Sequence, residues 1–177
     1  MRLPEQLELK TSDREREFMF LKPDYNLKSI FEINLEELKN QGIKIILFDL
    51  DSTLMASKSA QYSPEITEWL NRVRKDFKIA IVSNNNNPKY IEKVRAITDF
   101  PVLFNANKPK AEKAKNFIKE LGFNSNNAII VGDRPLTDIL CGKFLNCKTI
   151  LVDSITADSE NLPTRFIRKL ERICIKK

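Results

Sequence analysis

A chain of 177 residues, 42% apolar and 31% charged, is long enough for one domain with a real core, and it holds no apolar stretch near the length of a membrane span. Its 30 basic and 24 acidic residues leave a net charge of +6, which suits an anionic partner such as a phosphate ester or an anionic membrane, or simply a solvated surface. With no histidine, a Ser-His-Asp triad, a Cys-His pair and His-ligated zinc are excluded, and acid–base chemistry near neutral pH falls to carboxylates, Lys, Tyr or Cys.

Residues 1–17 alternate in charge and lack an apolar run, so they read as a flexible arm rather than a secretory signal, and residues 18–177 read as a single domain. The stretch "FMFLKPDYNLKSIFEI" (18–33) is apolar but irregular; it is expected to lie across the main body as core cover, or to touch a membrane. Asn34, with Glu37 three residues on, starts a helix that Gly42 stops. "IKIILFD" follows as a continuous apolar strand. Ser63-Pro64 opens a helix with Ile66, Trp69, Leu70 and Val73 on one face, and "KIAIVS" is the next strand. After the "NNNN" run at 84–87, Asn87-Pro88 opens a helix carrying Ile91 and Val94. "PVLF" is a short strand, "KAEKAKNFIKELG" a helix ending at Gly122, "NAIIVGD" a strand, "LTDILCGKFL" a helix and "CKTILVD" a strand.

The closing "TRFIRKLERICIKK" is a basic amphipathic helix. Phe166, Ile167, Leu170, Ile173 and Cys174 share one face, and Arg165, Arg168, Lys169, Arg172 and Lys176 supply the rest. It either packs on the sheet or lies on an anionic membrane. The three cysteines, Cys141, Cys147 and Cys174, are odd in number and lack CxxC spacing. No disulfide framework or zinc site is expected, and a reducing, intracellular setting fits, in the cytoplasm or at a membrane surface.

Strands alternate with helices, and the strands are apolar throughout, which argues a doubly wound α/β domain: a parallel sheet with helices on both faces. Ligands of such sheets bind outside the carboxyl ends of the strands. The polar residues collect at those ends. "ILFDLDSTL" ends a buried run in Asp49, Asp51 and Thr53; "KIAIVS" ends in Ser83-Asn84; Lys108-Pro109 follows "PVLF"; and "NAIIVGD" ends in Gly132-Asp133, with Asp138 five residues on. Singly, these are ordinary caps, turn residues and surface charges. Together they deliver carboxylates, a hydroxyl, an amide and an amine to one edge. Mg²⁺ explains the acids, and Ser83, Asn84 and Lys108 suit phosphate oxygens, so the edge reads as a phosphoryl-transfer site.

"DLDST", "VSN", "KP" and "GDRPLTD", in this order over about residues 43–153, resemble the four motifs of the haloacid dehalogenase (HAD) phosphatase superfamily. "SIFEINLEELKNQGIKIILFDLDSTL", "VSNNN", "NKPK" and "GDRPLTDILCGKFL" are similar to its capless branch, which includes phosphatidylglycerophosphate phosphatases, over roughly residues 20–175. The resemblance implies that Asp49 is the nucleophile and forms an aspartyl-phosphate, and that Asp51 protonates the leaving alkoxide and then deprotonates water. It implies that Thr53 fixes the loop by bonding Asp49 or Asp51 and joins Ser83, Asn84 and Lys108 in the phosphate-binding set. Mg²⁺ is implied at Asp49, the Asp51 backbone carbonyl, Asp133 and Asp138, the last directly or from one layer further out.

Only "LMASKSAQY" separates Thr53 from Ser63, and residues 85–107 hold a helix and a short strand, so no cap domain is expected. An open site suits a bulky phosphorylated substrate. The resemblance favours phosphatidylglycerophosphate, giving phosphatidylglycerol and phosphate. A soluble sugar or nucleotide phosphate, a phosphoprotein, and a phospho-accepting signalling or binding module are the alternatives. Nucleic acid is not an expected partner.

Overall fold

The run Ile45–Phe48 is buried at every position and is paired on both sides by parallel neighbours, so its apolar residues serve two faces at once. Around it, a computed structural model describes residues 21–155. The flexible arm expected at 1–17 and the basic amphipathic helix expected at 165–176 lie outside the described residues.

In chain order the elements are β1 (Tyr25–Asn26), α1 (Leu35–Asn40), β2 (Ile45–Phe48), α2 (Pro64–Val73), β3 (Lys78–Val82), α3 (Pro88–Ile97), β4 (Val102–Leu103), α4 (Glu112–Glu120), β5 (Ala128–Gly132), α5 (Leu140–Leu145) and β6 (Lys148–Leu151). The strands form one six-stranded, all-parallel sheet in the order β1-β6-β5-β2-β3-β4. The chain winds outward from β2 through β3 to β4, then crosses back to β5. The winding reverses between β2 and β5, and that junction opens a crevice at the carboxyl ends of the strands.

Alternate residues of each strand feed opposite faces. Ile46, Phe48, Ile79, Ile81, Ile129 and Val131 pack with Trp69, Leu70 and Val73 of α2 and with Tyr90 and Val94 of α3. Ile45, Leu47, Ala80, Val82, Ala128 and Ile130 pack with Ala114 and Ile118 of α4 and with Cys141 and Leu145 of α5. The doubly wound fold is therefore the observed one, and the described residues include no separate cap. No helix among them is long and apolar enough to cross a membrane.

Local signals account for the helix ends. The Asn34 side chain accepts from the Glu37 amide and that of Ser63 from the Ile66 amide, which satisfies donors otherwise orphaned in the first turn. Gly42 and Gly122 end α1 and α4 at φ of +79° and +85°, where a side chain would strain the backbone.

Three details refine or differ from expectation. The irregular 18–33 stretch contributes β1, an edge strand on β6, and a 3₁₀ turn at Ile30–Glu32; Ile30 and Ile33 are buried, so its described part covers the core. α3 buries Tyr90 with Val94, while Ile91 is only half-buried. The helix expected over "LTDILCGKFL" is split: Pro135–Ile139 is a π-helical turn that precedes α5. Such wide turns re-aim a side chain, here Asp138.

Candidate active site

Asp49 directly follows β2, and its amide still donates to the Val131 carbonyl at 2.8 Å, so its backbone is held by the sheet. The next residues turn back at once. Leu54 and Met55 both donate to the Leu50 carbonyl, at 3.0 and 3.2 Å, and Ser52 donates to Met55 at 2.7 Å. Ser52 takes φ 71°, a left-handed conformation that costs an L-residue about 1–2 kcal/mol. Complete burial of Leu50, Leu54 and Met55 anchors the turn and offsets that cost.

On the neighbouring strand, Gly132 is followed by Asp133. A Cβ on Gly132 would lie 2.3 Å from Cγ of Asp138, so the absent side chain is the space Asp138 fills. The Arg134 amide donates to Asp138 Oδ2 at 3.0 Å, and the Asp138 amide donates to the Arg134 carbonyl at 2.8 Å; the Leu140 amide donates to the Pro135 carbonyl, the five-residue bond of the π-helical turn.

These pieces converge. Asp49, Asp133 and Asp138 each offer a carboxylate oxygen, all within 4.8 Å of one another. The Lys108 ammonium, buried, donates to Asp49 Oδ1 and to Asp138 Oδ1 at 2.6 Å each. The Thr53 hydroxyl donates to Asp133 Oδ1 at 3.2 Å, not to Asp49 or Asp51. Asn84 works through the backbone of Lys108: its Oδ1 accepts from the Lys108 amide at 2.7 Å and its Nδ2 donates to the Lys108 carbonyl at 2.9 Å. Both ends of that amide thus clamp the backbone of the lysine. The buried Ser83 hydroxyl accepts from the Asn85 amide at 3.1 Å.

Asp51 stands apart from the three-carboxylate cluster. Its Oδ1 accepts from the Tyr90 hydroxyl at 2.8 Å and from the Lys58 amide at 3.0 Å, and its Oδ2 accepts from Asn85 Nδ2 at 3.3 Å. Tyr90, Asn85 and Lys58 were not singled out from the sequence. The available signal was position: Asn85 lies two residues past Ser83, and Tyr90 lies in the first turn of the helix that leaves the same strand end.

The electrostatics follow from burial. Burial pushes the Asp49 carboxyl up, Lys108 pulls it down, and Asp138 and Asp51 push it up again, leaving it at about 6. Burial alone would lower the Lys108 ammonium, but Asp138 and Asp49 more than offset this and raise it, so it remains a cation. Burial and the bond to Asp51 raise the Tyr90 phenol, which stays a donor. Burial pushes the Cys141 thiol up to about 11, which leaves it protonated and unsuited to act as a nucleophile.

Three converging carboxylates against one ammonium leave excess negative charge in a largely buried site. Hard oxygen donors in this number fit a small divalent cation, and Asp49, Asp133 and Asp138 are the residues that would hold it.

The family model described as "Mitochondrial PGP phosphatase" matches residues 14–156. "Probable phosphatase YqeG" of Bacillus subtilis (strain 168) is 32% identical over 154 residues, which cover 86% of this chain and 88% of that protein. "Phosphatidylglycerophosphate phosphatase 1, chloroplastic/mitochondrial" of Arabidopsis thaliana is 30% identical over 173 residues, 93% of this chain; the match spans 49% of that longer protein. Among solved structures, an uncharacterized protein from Listeria monocytogenes serotype 4b superposes with a TM-score of 0.53 at 18% identity, over 62% of this chain and 78% of that one, a likeness of fold alone. The parallel sheet, its acidic carboxyl edge and these relatives define a phosphatase of the haloacid dehalogenase type. Within that class, the chain belongs to the mitochondrial PGP phosphatase family.

Proposed function

We propose that the chain hydrolyses phosphate monoesters through an aspartyl-phosphate on Asp49, with Mg²⁺ as the cation and phosphatidylglycerophosphate as the substrate. The observation that carries this reading is the meeting of Asp49, Asp133 and Asp138 around the Lys108 ammonium.

Exposure separates the roles of the three acids. The Asp49 side chain is 13% exposed, against 1% for that of Asp138, and Asp133 as a whole is 1% exposed. Only Asp49 is open enough to meet an incoming phosphoryl group. Its Oδ1 is held by Lys108, so the other oxygen forms the bond to phosphorus as the ester P–O bond breaks. Asp51, protonated, gives its proton to the departing oxygen. The resulting Asp51 carboxylate then takes a proton from the water that attacks phosphorus, releasing inorganic phosphate and restoring Asp49. Lys108 balances charge on Asp49 and on the phosphoryl oxygens throughout. A divalent cation, when bound, adds positive charge where those oxygens become more negative.

The lipid assignment draws on the name of the Arabidopsis relative and on an edge that no cap encloses among the described residues. The test is phosphate release from phosphatidylglycerophosphate in mixed micelles, compared with sugar phosphates and nucleotides, with and without Mg²⁺. Preference for the lipid in the presence of Mg²⁺ is expected. Equal or faster turnover of the soluble esters overturns the lipid assignment, and activity retained by Asp49→Asn overturns the covalent route.

A further inference from the structure

The run "VSNNNNPKY" looks like low-complexity loop, yet its side chains form an ordered relay from the end of β3 to Asp51. The Ser83 hydroxyl accepts from the Asn85 amide at 3.1 Å, and Asn85 Oδ1 accepts from the Asn87 amide at 3.0 Å. Asn87 Oδ1 in turn accepts from the Tyr90 amide at 3.1 Å, capping α3 and fixing its first turn. The Asn85 carbonyl also receives the Asn105 amide at 3.0 Å, tying the run to the segment that follows β4. Two ends of the relay touch the same carboxyl group: Asn85 Nδ2 at Oδ2 and the Tyr90 hydroxyl at Oδ1.

The two oxygens of Asp51 are thereby made unequal. Oδ1 accepts two short bonds, from the Tyr90 hydroxyl at 2.8 Å and the Lys58 amide at 3.0 Å, which use both of its lone pairs. Among the described residues Oδ2 has one contact, the long one at 3.3 Å from Asn85. A carboxylic acid in this setting carries its proton on Oδ2, because a hydrogen on Oδ1 would displace one of two donors already seated. Tyr90 is itself held: the residue is 7% exposed, and its hydroxyl lies 3.5 Å from the sulfur of the buried Met55.

We propose that Tyr90 is a positioning residue for proton transfer: with the Lys58 amide it pins Oδ1 of Asp51 and so assigns Oδ2 as the oxygen that gives the proton to the leaving group and later takes one from water. The inference rests on the reading of Asp51 as the acid. Nothing in it needs Tyr90 to touch substrate. In the forward step the Asp51 Oδ2–H bond breaks, the proton passes to the ester oxygen, and that oxygen departs as an alcohol while Asp49 bonds to phosphorus. In the return step Oδ2 recovers a proton from the attacking water.

A misaligned acid matters only when the leaving group needs help. 4-Nitrophenyl phosphate expels a weakly basic phenolate, phenyl phosphate a more basic one, and glycerol phosphate a strongly basic alkoxide. Tyr90→Phe keeps the ring and removes the hydroxyl. Hydrolysis of the aspartyl-phosphate is common to all three esters, so the leaving-group step is read in kcat/KM: expected is a fall of about tenfold on phenyl and glycerol phosphates and less than about threefold on 4-nitrophenyl phosphate, since an acid contributes on the order of 10²- to 10⁴-fold and only its alignment is lost. Asp51→Asn, run in parallel, should show the same gradient more steeply.

An equal loss on all three esters in Tyr90→Phe, beside a graded loss in Asp51→Asn, overturns the inference and leaves Tyr90 a structural residue. A flat profile in Asp51→Asn removes the acid role itself, a separate failure. Asn85→Ala provides a second reading should Tyr90→Phe fold poorly. It loses the long contact to Oδ2 and the bond from the Asn87 amide but neither bond to Oδ1, so it should show a shallower gradient than Asp51→Asn, and a gradient equal to that of Asp51→Asn would overturn the assignment of the two oxygens.

Discussion

Lys108 and Asp49 are 59 residues apart in the chain, yet the Lys108 Nζ lies 2.6 Å from Asp49 Oδ1, with the lysine side chain 2% exposed and the aspartate 13%. The same ammonium bridges to Asp138, so one cation holds two carboxylates from strands on either side of the crevice. Removing a single partner from a buried pair strands the remaining charge and costs about 3–5 kcal/mol. Lys108→Met, which keeps the apolar stem, is therefore expected to lower the unfolding midpoint of the metal-free protein. It should also lower kcat by about a hundredfold or more, through loss of charge stabilisation. Much of the stability should return in acid, where the Asp49 carboxyl, raised by burial, takes up a proton. Thermal unfolding of wild type and variant in chelator at acid and neutral pH checks this, and a pH-independent deficit would contradict it.

The wild-type protein without metal carries a weaker form of the same conflict. Burial pushes the Asp49 carboxyl from 3.8 up to about 6. Between those values the folded chain holds a proton that the unfolded chain has released. The contribution to stability is present in full below pH 3.8 and is lost as pH rises through about 6. At 1.36 kcal/mol per pH unit the loss is at most about 3 kcal/mol, and Lys108 limits it. Stability in chelator should therefore fall from pH 4.5 to 7.5, Asp49→Asn should flatten that slope, and the stabilisation by added Mg²⁺ should grow across the same range. A protein equally stabilised by Mg²⁺ at both ends would show that the carboxyl does not titrate there.

Much of this arrangement was legible from the chain because it depends on two simple regularities. Apolar strands alternating with capped helices force a parallel sheet, and a parallel sheet gathers every strand's carboxyl end at one edge, so Asp49, Ser83 and Asp133 had to share it. Caps such as Asn34 and Ser63 are local and were readable from three or four residues. What depended on long-range return of the chain was not. That Asn84 would spend its amide on the backbone of Lys108, 24 residues on, cannot be told from a loop asparagine. The Tyr90 hydroxyl was hidden inside a helix in which only the aliphatic Ile91 and Val94 stood out. β1 is two residues long, too short to leave a pattern, and owes its place to β6. The π-helical turn at Pro135–Ile139 follows from where Asp138 must point, which only the packed Gly132 reveals.

Gly132 offers a test of that packing. Its Cβ would sit 2.3 Å from Cγ and Oδ2 of Asp138, whereas a Cβ on Gly142 would meet Thr149 and Ile130 methyl groups at 2.4 and 2.5 Å and no carboxylate among its three nearest atoms. Each alanine overfills a tight contact, at about 1–3 kcal/mol. Gly132→Ala alone displaces a carboxylate of the cluster. The expectation is similar loss of stability in both variants, but loss of Mg²⁺-dependent stabilisation and at least tenfold loss of kcat only in Gly132→Ala. Calorimetric melting with and without Mg²⁺ distinguishes them, and equal metal responses would show that Asp138 does not serve the cation.

The opposite edge of the sheet carries a carboxylate whose pH behaviour runs the other way. Asp24, just before β1, accepts through Oδ2 from the Thr149 amide at 2.9 Å, the Thr149 hydroxyl at 2.7 Å and the Lys143 ammonium at 3.1 Å, and so fastens the edge strand to β6. Burial tends to raise its carboxyl, but the bonds from Thr149 and Lys143 outweigh this and hold it below 3.8. Its contribution is therefore present above that value and lost as pH falls through the lowered one. Thr149 is fully buried, so Asp24→Ala leaves its donors without their acceptor, at about 1–3 kcal/mol. The partly exposed Lys143 adds little beyond that. Urea unfolding should show Asp24→Ala less stable than wild type at pH 7, with the gap closing as the pH is taken below 3.8. Phosphatase activity should stay within about twofold, because Asp24 lies at the amino end of its strand, away from the acidic edge. A gap that persisted unchanged in acid would mean that the charge of Asp24 contributes nothing to holding the strand.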